Sequence, residues 1–133
     1  MSDRQQEAPT EALEGSEGVP APRLYSWRPM TATGALSITW YGHGTFLLVS
    51  PGGTRIAIDP WLTDNPACPA DCKTIDRCDL ILLTHGHSDH IGDAVPLARA
   101  TGAQVVAPNE LGHWLAKKGL KRVSRMNVGG SQT

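Results

Sequence analysis

The sequence of 133 residues lacks an excess of charge of either sign. Its 12 lysines and arginines nearly balance its 13 aspartates and glutamates, so the formal net charge is -1. Because there is no positive surplus to attract a polyanion, nucleic acid is not an expected partner.

Long apolar runs and a paired set of cysteines are also missing. No stretch reaches the roughly 18 apolar residues that a membrane span needs, and the first residues carry no apolar signal-peptide core. The three cysteines, Cys68, Cys72 and Cys78, are odd in number and match no common zinc-module spacing, so we interpret them as unpaired thiols. These features predict a reduced, cytoplasmic protein without a membrane span.

The chain divides into two regions of different character. Residues 1–34 contain five acidic residues and three arginines, and their apolar side chains follow no helical or strand period. Such a segment buries too little apolar surface to offset its ordering entropy, which predicts a disordered acidic tail. Residues 35–133 hold nine basic and eight acidic residues in clear periodic patterns, and they form the predicted domain.

Alternating apolar residues predict strands over 36–40 and 55–59, and a β-rich apolar run ended by a turn signal predicts one over 45–49; their close spacing suggests an antiparallel meander. A loop with a short helical turn precedes the run 79–84, which is apolar on both faces and predicts a buried central strand. Helices over 92–101 and 108–118 are expected to flank a strand at 104–107, with a further strand at 122–126. This order predicts an α/β or α+β fold.

A dense cluster of chemically active side chains directly follows the predicted buried strand. His85, His87, Asp89 and His90 place three of the five histidines and a carboxylate within six positions. Imidazole and carboxylate are ligand types suited to zinc and similar divalent metals. We expect His85 and His87 to bind one ion and Asp89 and His90 a second, because two adjacent ions activate a water for hydrolysis. The alternative is a surface loop that happens to be rich in histidine.

The pattern His85-x-His87-x-Asp89-His90 resembles the metal-binding signature of the metallo-β-lactamase superfamily. The flanking segments 38–46 and 58–66 resemble the branch of metal-dependent hydrolases related to L-ascorbate-6-phosphate lactonase, with N-acyl-phosphatidylethanolamine phospholipase D as a more distant relative. The likeness runs from about residue 36 to residue 130.

The resemblance implies an αββα sandwich with a site for two divalent ions, zinc first, with manganese or iron as alternatives. His85, His87, Asp89 and His90 are the implied metal ligands, and Asp89 and Asp59 the implied catalytic residues. Asp59 is also expected to orient the ligands through hydrogen bonds, and His43 to lie close to the metals. For His43 the alternative is a histidine bonded only to local backbone. The implied reaction is hydrolysis of an ester, a lactone or a phosphodiester by a metal-activated water.

Members of the family carry further metal ligands later in their sequences: a third histidine for the first ion, an aspartate that bridges both ions and a late histidine for the second. This chain has no match to any of them. We therefore expect the N-terminal half of the sandwich, weak metal binding, and an apolar sheet face without the second sheet. His113 is interpreted as a surface or packing residue rather than a substitute ligand. One alternative function is a non-catalytic, truncated metal-binding or interaction module. Another is a half-site completed by a homo-oligomer or a complementing chain.

Overall fold

A computed structural model describes residues 34–131, and the predicted tail at 1–34 lies outside these residues except for Gly34. The described chain forms a six-stranded sheet in which the strands follow one another in sequence order. The strands are β1 Ser37–Trp40, β2 Phe46–Val49, β3 Arg55–Ile58, β4 Leu80–Leu82, β5 Gln104–Pro108 and β6 Val123–Met126.

The first three strands are antiparallel and the last four run parallel, since β3 pairs antiparallel with β2 and parallel with β4. The predicted meander is therefore confirmed. The tight turn between β2 and β3 is closed by a hydrogen bond from Gly53 N to Ser50 O at 2.9 Å. Gly53 has a φ of 85°, a left-handed conformation that glycine adopts without steric cost.

The helices are α1 Ser88–Ile91, α2 Ala94–Thr101 and α3 Asn109–Lys117, and a 3-10 turn spans Ala70–Cys72. The predicted start at residue 92 is wrong, because Gly92 ends α1 and Asp93 leaves the helical conformation. The Asp93 carboxylate instead accepts hydrogen bonds from Leu62 N and Thr63 N. Gly102 ends α2 at a φ of 70°, as predicted. None of the described helices is long and apolar enough to cross a membrane.

One face of the sheet carries the hydrophobic core. Leu47, Ala57, Ile81 and Val105 occupy matching positions on four adjacent strands, and all are buried. The helices pack against this face, and their buried residues Ala94, Leu97, Ala98 and Leu115 complete the core.

The opposite face is apolar and, among the described residues, only partly covered. Ile38 and Trp40 on the edge strand are 51% and 64% exposed, and Leu80 and Leu82 on the central strand are half-buried. The prediction that β4 is buried on both sides is therefore wrong for this side, whereas its central position is confirmed. A cavity of about 350 Å³ opens on the same side, lined in part by Leu82, Val106, Pro108 and Met126. Among residues 34–131, the expected exposed apolar face is therefore present.

Candidate metal centre

The predicted site residues converge at one end of the sheet. Asp59 directly follows β3, the cluster from His85 to His90 begins three residues after β4, and His43 lies in the turn between β1 and β2. The carboxyl ends of parallel strands meet at one edge, and that edge is where α/β proteins place their ligands. The structure thus brings together all the predicted site residues, including His43.

Asp59 is the buried anchor of the site, with only 3% of its surface exposed. Its Oδ1 accepts a hydrogen bond from Thr84 N at 2.8 Å, and its Oδ2 accepts one from Thr84 Oγ1 at 2.6 Å. The same Oδ2 lies 2.9 Å from His90 Nδ1. A carboxylate engaged in this way orients its neighbours, as expected. Its further assignment as a catalytic residue stays a prediction.

Through these contacts one carboxylate orders two imidazole rings. His90 donates its Nδ1 proton to Asp59, which leaves the Nε2 lone pair free. Thr84 donates its hydroxyl proton to Asp59. The Thr84 Oγ1 atom therefore accepts a hydrogen bond from His85 Nδ1 at 2.9 Å. His85 Nε2 then carries the lone pair that a metal ligand needs. Each ring is held in the tautomer that a metal ligand requires.

His85 and His87 form a close nitrogen pair, with His85 Nε2 lying 2.9 Å from His87 Nδ1. Two ligand atoms about 2.0–2.1 Å from a tetrahedral zinc ion lie about 3.3 Å apart, so a small opening of this pair accommodates an ion. His85 also packs against His90, with ring centroids 4.1 Å apart. The donor set of imidazoles and carboxylate fits a divalent metal of the zinc, manganese or iron type.

Asp89 and His43 form the other side of the cluster. His43 Nε2 lies 3.2 Å from Asp89 Oδ2, and both side chains are about two-fifths exposed. The His43 ring also meets the His90 ring, with centroids 4.9 Å apart. Potential ligand atoms of His43, Asp89 and His90 all lie within 4.8 Å of one another. His43 therefore contacts the side chains of the cluster, and the alternative of a histidine bonded only to local backbone does not apply.

Two buried polar residues that sequence reasoning missed hold the loops of the site. The Thr45 hydroxyl lies 2.8 Å from Asp59 O and accepts a hydrogen bond from Trp61 N. Asn65 Nδ2 faces the carbonyl oxygens of Tyr41, Gly42 and Trp61 at 3.0–3.3 Å. Both side chains are fully buried. Their only sequence signal is a polar residue beside an apolar run or a proline, which does not distinguish them from surface residues.

Gly44 allows the His43 turn to approach the cluster closely. A β-carbon at this position would lie 2.9 Å from His90 Cε1 and 3.2 Å from its Nδ1, which is closer than side-chain packing allows. The missing side chain therefore leaves room for the His90 ring beside Asp59.

The three cysteines are free thiols, which confirms the sequence interpretation. Burial raises the pKa of Cys78 above its ordinary value of 9.0, and burial likewise raises the pKa of Cys68. The thiolate is the form that binds metal, so a raised pKa makes these side chains poor ligands at neutral pH.

This fold and site define a class of protein. The family model of the metallo-beta-lactamase superfamily matches residues 34–130, and the chain belongs to that superfamily. The mixed fold with its central sheet agrees with this assignment, and the family dependence on a divalent metal agrees with the donor set.

Among curated relatives, the chain is 55% identical over 97 residues to a UPF0173 metal-dependent hydrolase of Koribacter versatilis, covering 73% of this chain and 42% of the relative. It is 47% identical over 98 residues to one of Rubrobacter xylanophilus, covering 74% of this chain and 40% of the relative. The chain thus spans about two-fifths of the length of these relatives.

Solved structures also match this chain. The structure of Igni18, a metallo hydrolase from Ignicoccus hospitalis, matches with a TM-score of 0.64 and 36% identity, over 74% of this chain and 42% of that one. The diiron β-hydroxylase CmlA from Streptomyces venezuelae matches with a TM-score of 0.55 at 22% identity, over 70% of this chain and 21% of that one. The second likeness concerns the fold alone.

Proposed function

We propose that the chain carries the metal-binding half of a hydrolase that acts on an ester, a lactone or a phosphodiester. The observation that supports this most strongly is the bonding of Asp59, whose single carboxylate sets the ligand tautomers of His85 and His90. Hydrogen bonds of this kind serve metal ligation and are not needed to stabilise an exposed histidine-rich loop.

In this proposal His85 and His87 hold one divalent ion, and Asp89 and His90 hold the second. Ions held there acidify a water molecule and stabilise negative charge on a substrate oxygen. Asp59 would keep the His85 and His90 rings aligned through the hydrogen bonds that reach its carboxylate from His90 directly and from His85 by way of Thr84. Asp89, which is partly exposed beside the cluster, is the residue placed to accept the proton.

The expected metal is zinc, with manganese and iron as the alternatives that the same donors suit. The expected partner is a small-molecule substrate, and the expected compartment is the cytoplasm, which the three free thiols support. The relatives are more than twice as long as the matched segment.

The test is to purify the 133-residue chain with zinc, manganese or iron and to measure bound metal by mass spectrometry. Hydrolysis is then followed on a p-nitrophenyl ester, a simple lactone and bis(p-nitrophenyl) phosphate. We expect bound metal that His87→Gln removes, whereas His113→Gln, which changes an exposed histidine bonded to Arg125, leaves it unchanged. A His87→Gln chain that keeps all its metal would contradict the proposal.

A second candidate is the non-catalytic metal-binding or interaction module, completed by another chain or copy. The exposed apolar side chains of β1 favour it, since a sheet face of this kind needs a cover. Metal binding without turnover of any of the three substrates, together with a dimer or larger species on size-exclusion chromatography, is the result that this candidate predicts.

A further inference from the structure

We propose that His43 is a direct metal ligand and forms, with Asp89 and His90, a three-residue site for the second ion. This inference deepens the proposed function and rests on it, because it requires that an ion bind beside Asp89 and His90. It assigns to the turn between β1 and β2 a chemical role that the histidine-rich signature does not include.

One distance within this group is that of two ligands around one ion, and the third donor lies nearby. His43 Nε2 lies 3.2 Å from Asp89 Oδ2, close to the separation of about 3.3 Å for two ligand atoms around tetrahedral zinc. The potential ligand atoms of all three residues lie within 4.8 Å of one another.

The available lone pairs agree with the distances. His90 uses Nδ1 to donate to Asp59, so its Nε2 remains for a metal. Asp89 supplies an anionic oxygen, and His43 supplies the Nε2 lone pair once the proton that this nitrogen donates to Asp89 has moved to Nδ1 or to solvent. Two imidazoles and one carboxylate are the three-ligand set that catalytic zinc sites use, with a further position left for water or substrate.

The conformation of His43 provides an independent observation. Its φ is 51°, a left-handed value that is unfavourable for a residue with a side chain. The turn is closed by hydrogen bonds between Tyr41 and Thr45 and between Thr45 and Gly42, and Trp40 Nε1 donates to His43 O at 2.9 Å. Residues held in such a conformation concentrate at functional sites, where the surroundings impose a particular side-chain direction.

The ring of His43 is also fixed on its outer side. The Trp61 ring meets it edge to face, with centroids 5.3 Å apart. Asn65 bonds the carbonyl oxygens of both Gly42 and Trp61, so one buried side chain ties the turn of His43 to the loop of Trp61. The imidazole is thus directed toward Asp89 before any ion arrives, as in a preorganised ligand.

The experiment is a cobalt(II) titration of the 133-residue chain, since cobalt reports ligand number and type in its visible spectrum and shifts the proton signals of bound imidazoles. The informative variant is His43→Gln, because glutamine retains an N–H that can donate to Asp89 but is a poor metal ligand. His113→Gln is the matched control. His43→Asn repeats the test with a residue that tolerates a left-handed conformation, and circular dichroism verifies folding of each variant.

We expect His43→Gln and His43→Asn to weaken binding of one cobalt ion by more than about 100-fold, beyond the roughly 10–100-fold that loss of a surrounding partner costs. One shifted imidazole N–H signal should disappear, while His85→Gln should abolish the other ion. A folded His43→Gln chain that binds both ions as the parent does would overturn the role of His43 and leave the proposed function intact. A parent chain that binds no cobalt would overturn both.

Discussion

Replacing Asn65 with alanine should destabilise the loops of the site more than any surface change. The side chain is fully buried, and its Nδ2 faces three carbonyl oxygens while its Oδ1 accepts from Ala67 N at 3.0 Å. An amide nitrogen has two hydrogens, so at most two of the three carbonyls are bonded at once, and Asn65→Ala removes three hydrogen bonds in all. At about 1 kcal/mol each, the free energy of unfolding should fall by about 3 kcal/mol.

The assay is urea unfolding followed by tryptophan fluorescence, because Trp61 lies beside the bonds that are lost. Asn127→Ala is the matched control at an exposed asparagine, with an expected change within about 0.5 kcal/mol. Asn65→Asp preserves the acceptor for Ala67 but places a carboxylate against carbonyl oxygens, so it should be at least as destabilising at neutral pH. An Asn65→Ala chain as stable as the Asn127→Ala control would refute this account of the loops.

Three further outcomes are expected. Gly44→Ala should weaken zinc binding in a chelator competition because the added β-carbon meets the His90 ring. Gly52→Ala, at an open turn position, should leave the affinity unchanged. Equal zinc affinities of the two variants would contradict the close contact between Gly44 and His90. Thr84→Val removes the hydroxyl that donates to a buried carboxylate, so thermal denaturation should show a loss of about 1.5 kcal/mol, and an unchanged midpoint would exclude that contribution. Burial raises the pKa of Cys78, so above pH 9.0 the unfolded chain binds fewer protons than the folded chain, and the free energy of unfolding should fall as pH rises. In urea unfolding at several pH values, Cys78→Ala should reduce this dependence on pH. An equal dependence in the variant would be evidence against burial of the thiol.

The strands were predictable because their signals are local. Alternation identified the antiparallel meander, and the continuous apolar run at 79–84 identified the central strand. The cluster from His85 to His90 was equally visible, since its four side chains lie within six positions and leave the sheet at the end where ligands bind.

The remaining features depend on contacts between residues that are distant in sequence. Asp93 interrupts the predicted helix because its carboxylate bonds Leu62 N, 31 positions away. The importance of Asn65 arises from carbonyl oxygens 23 and 24 positions away. Because neither set of partners follows from local propensity, the sequence alone indicated an uninterrupted helix at Asp93 and only a loop at Asn65.

The order of the strands has a consequence for synthesis on the ribosome. Neighbouring strands in the sheet are also neighbours along the chain, so no early strand waits for a later one to be inserted beside it. All candidate ligands lie between His43 and His90, ahead of β5 and β6. The nascent chain therefore holds all of these candidate ligands before the last two strands have emerged, and metal capture can precede completion of the sheet.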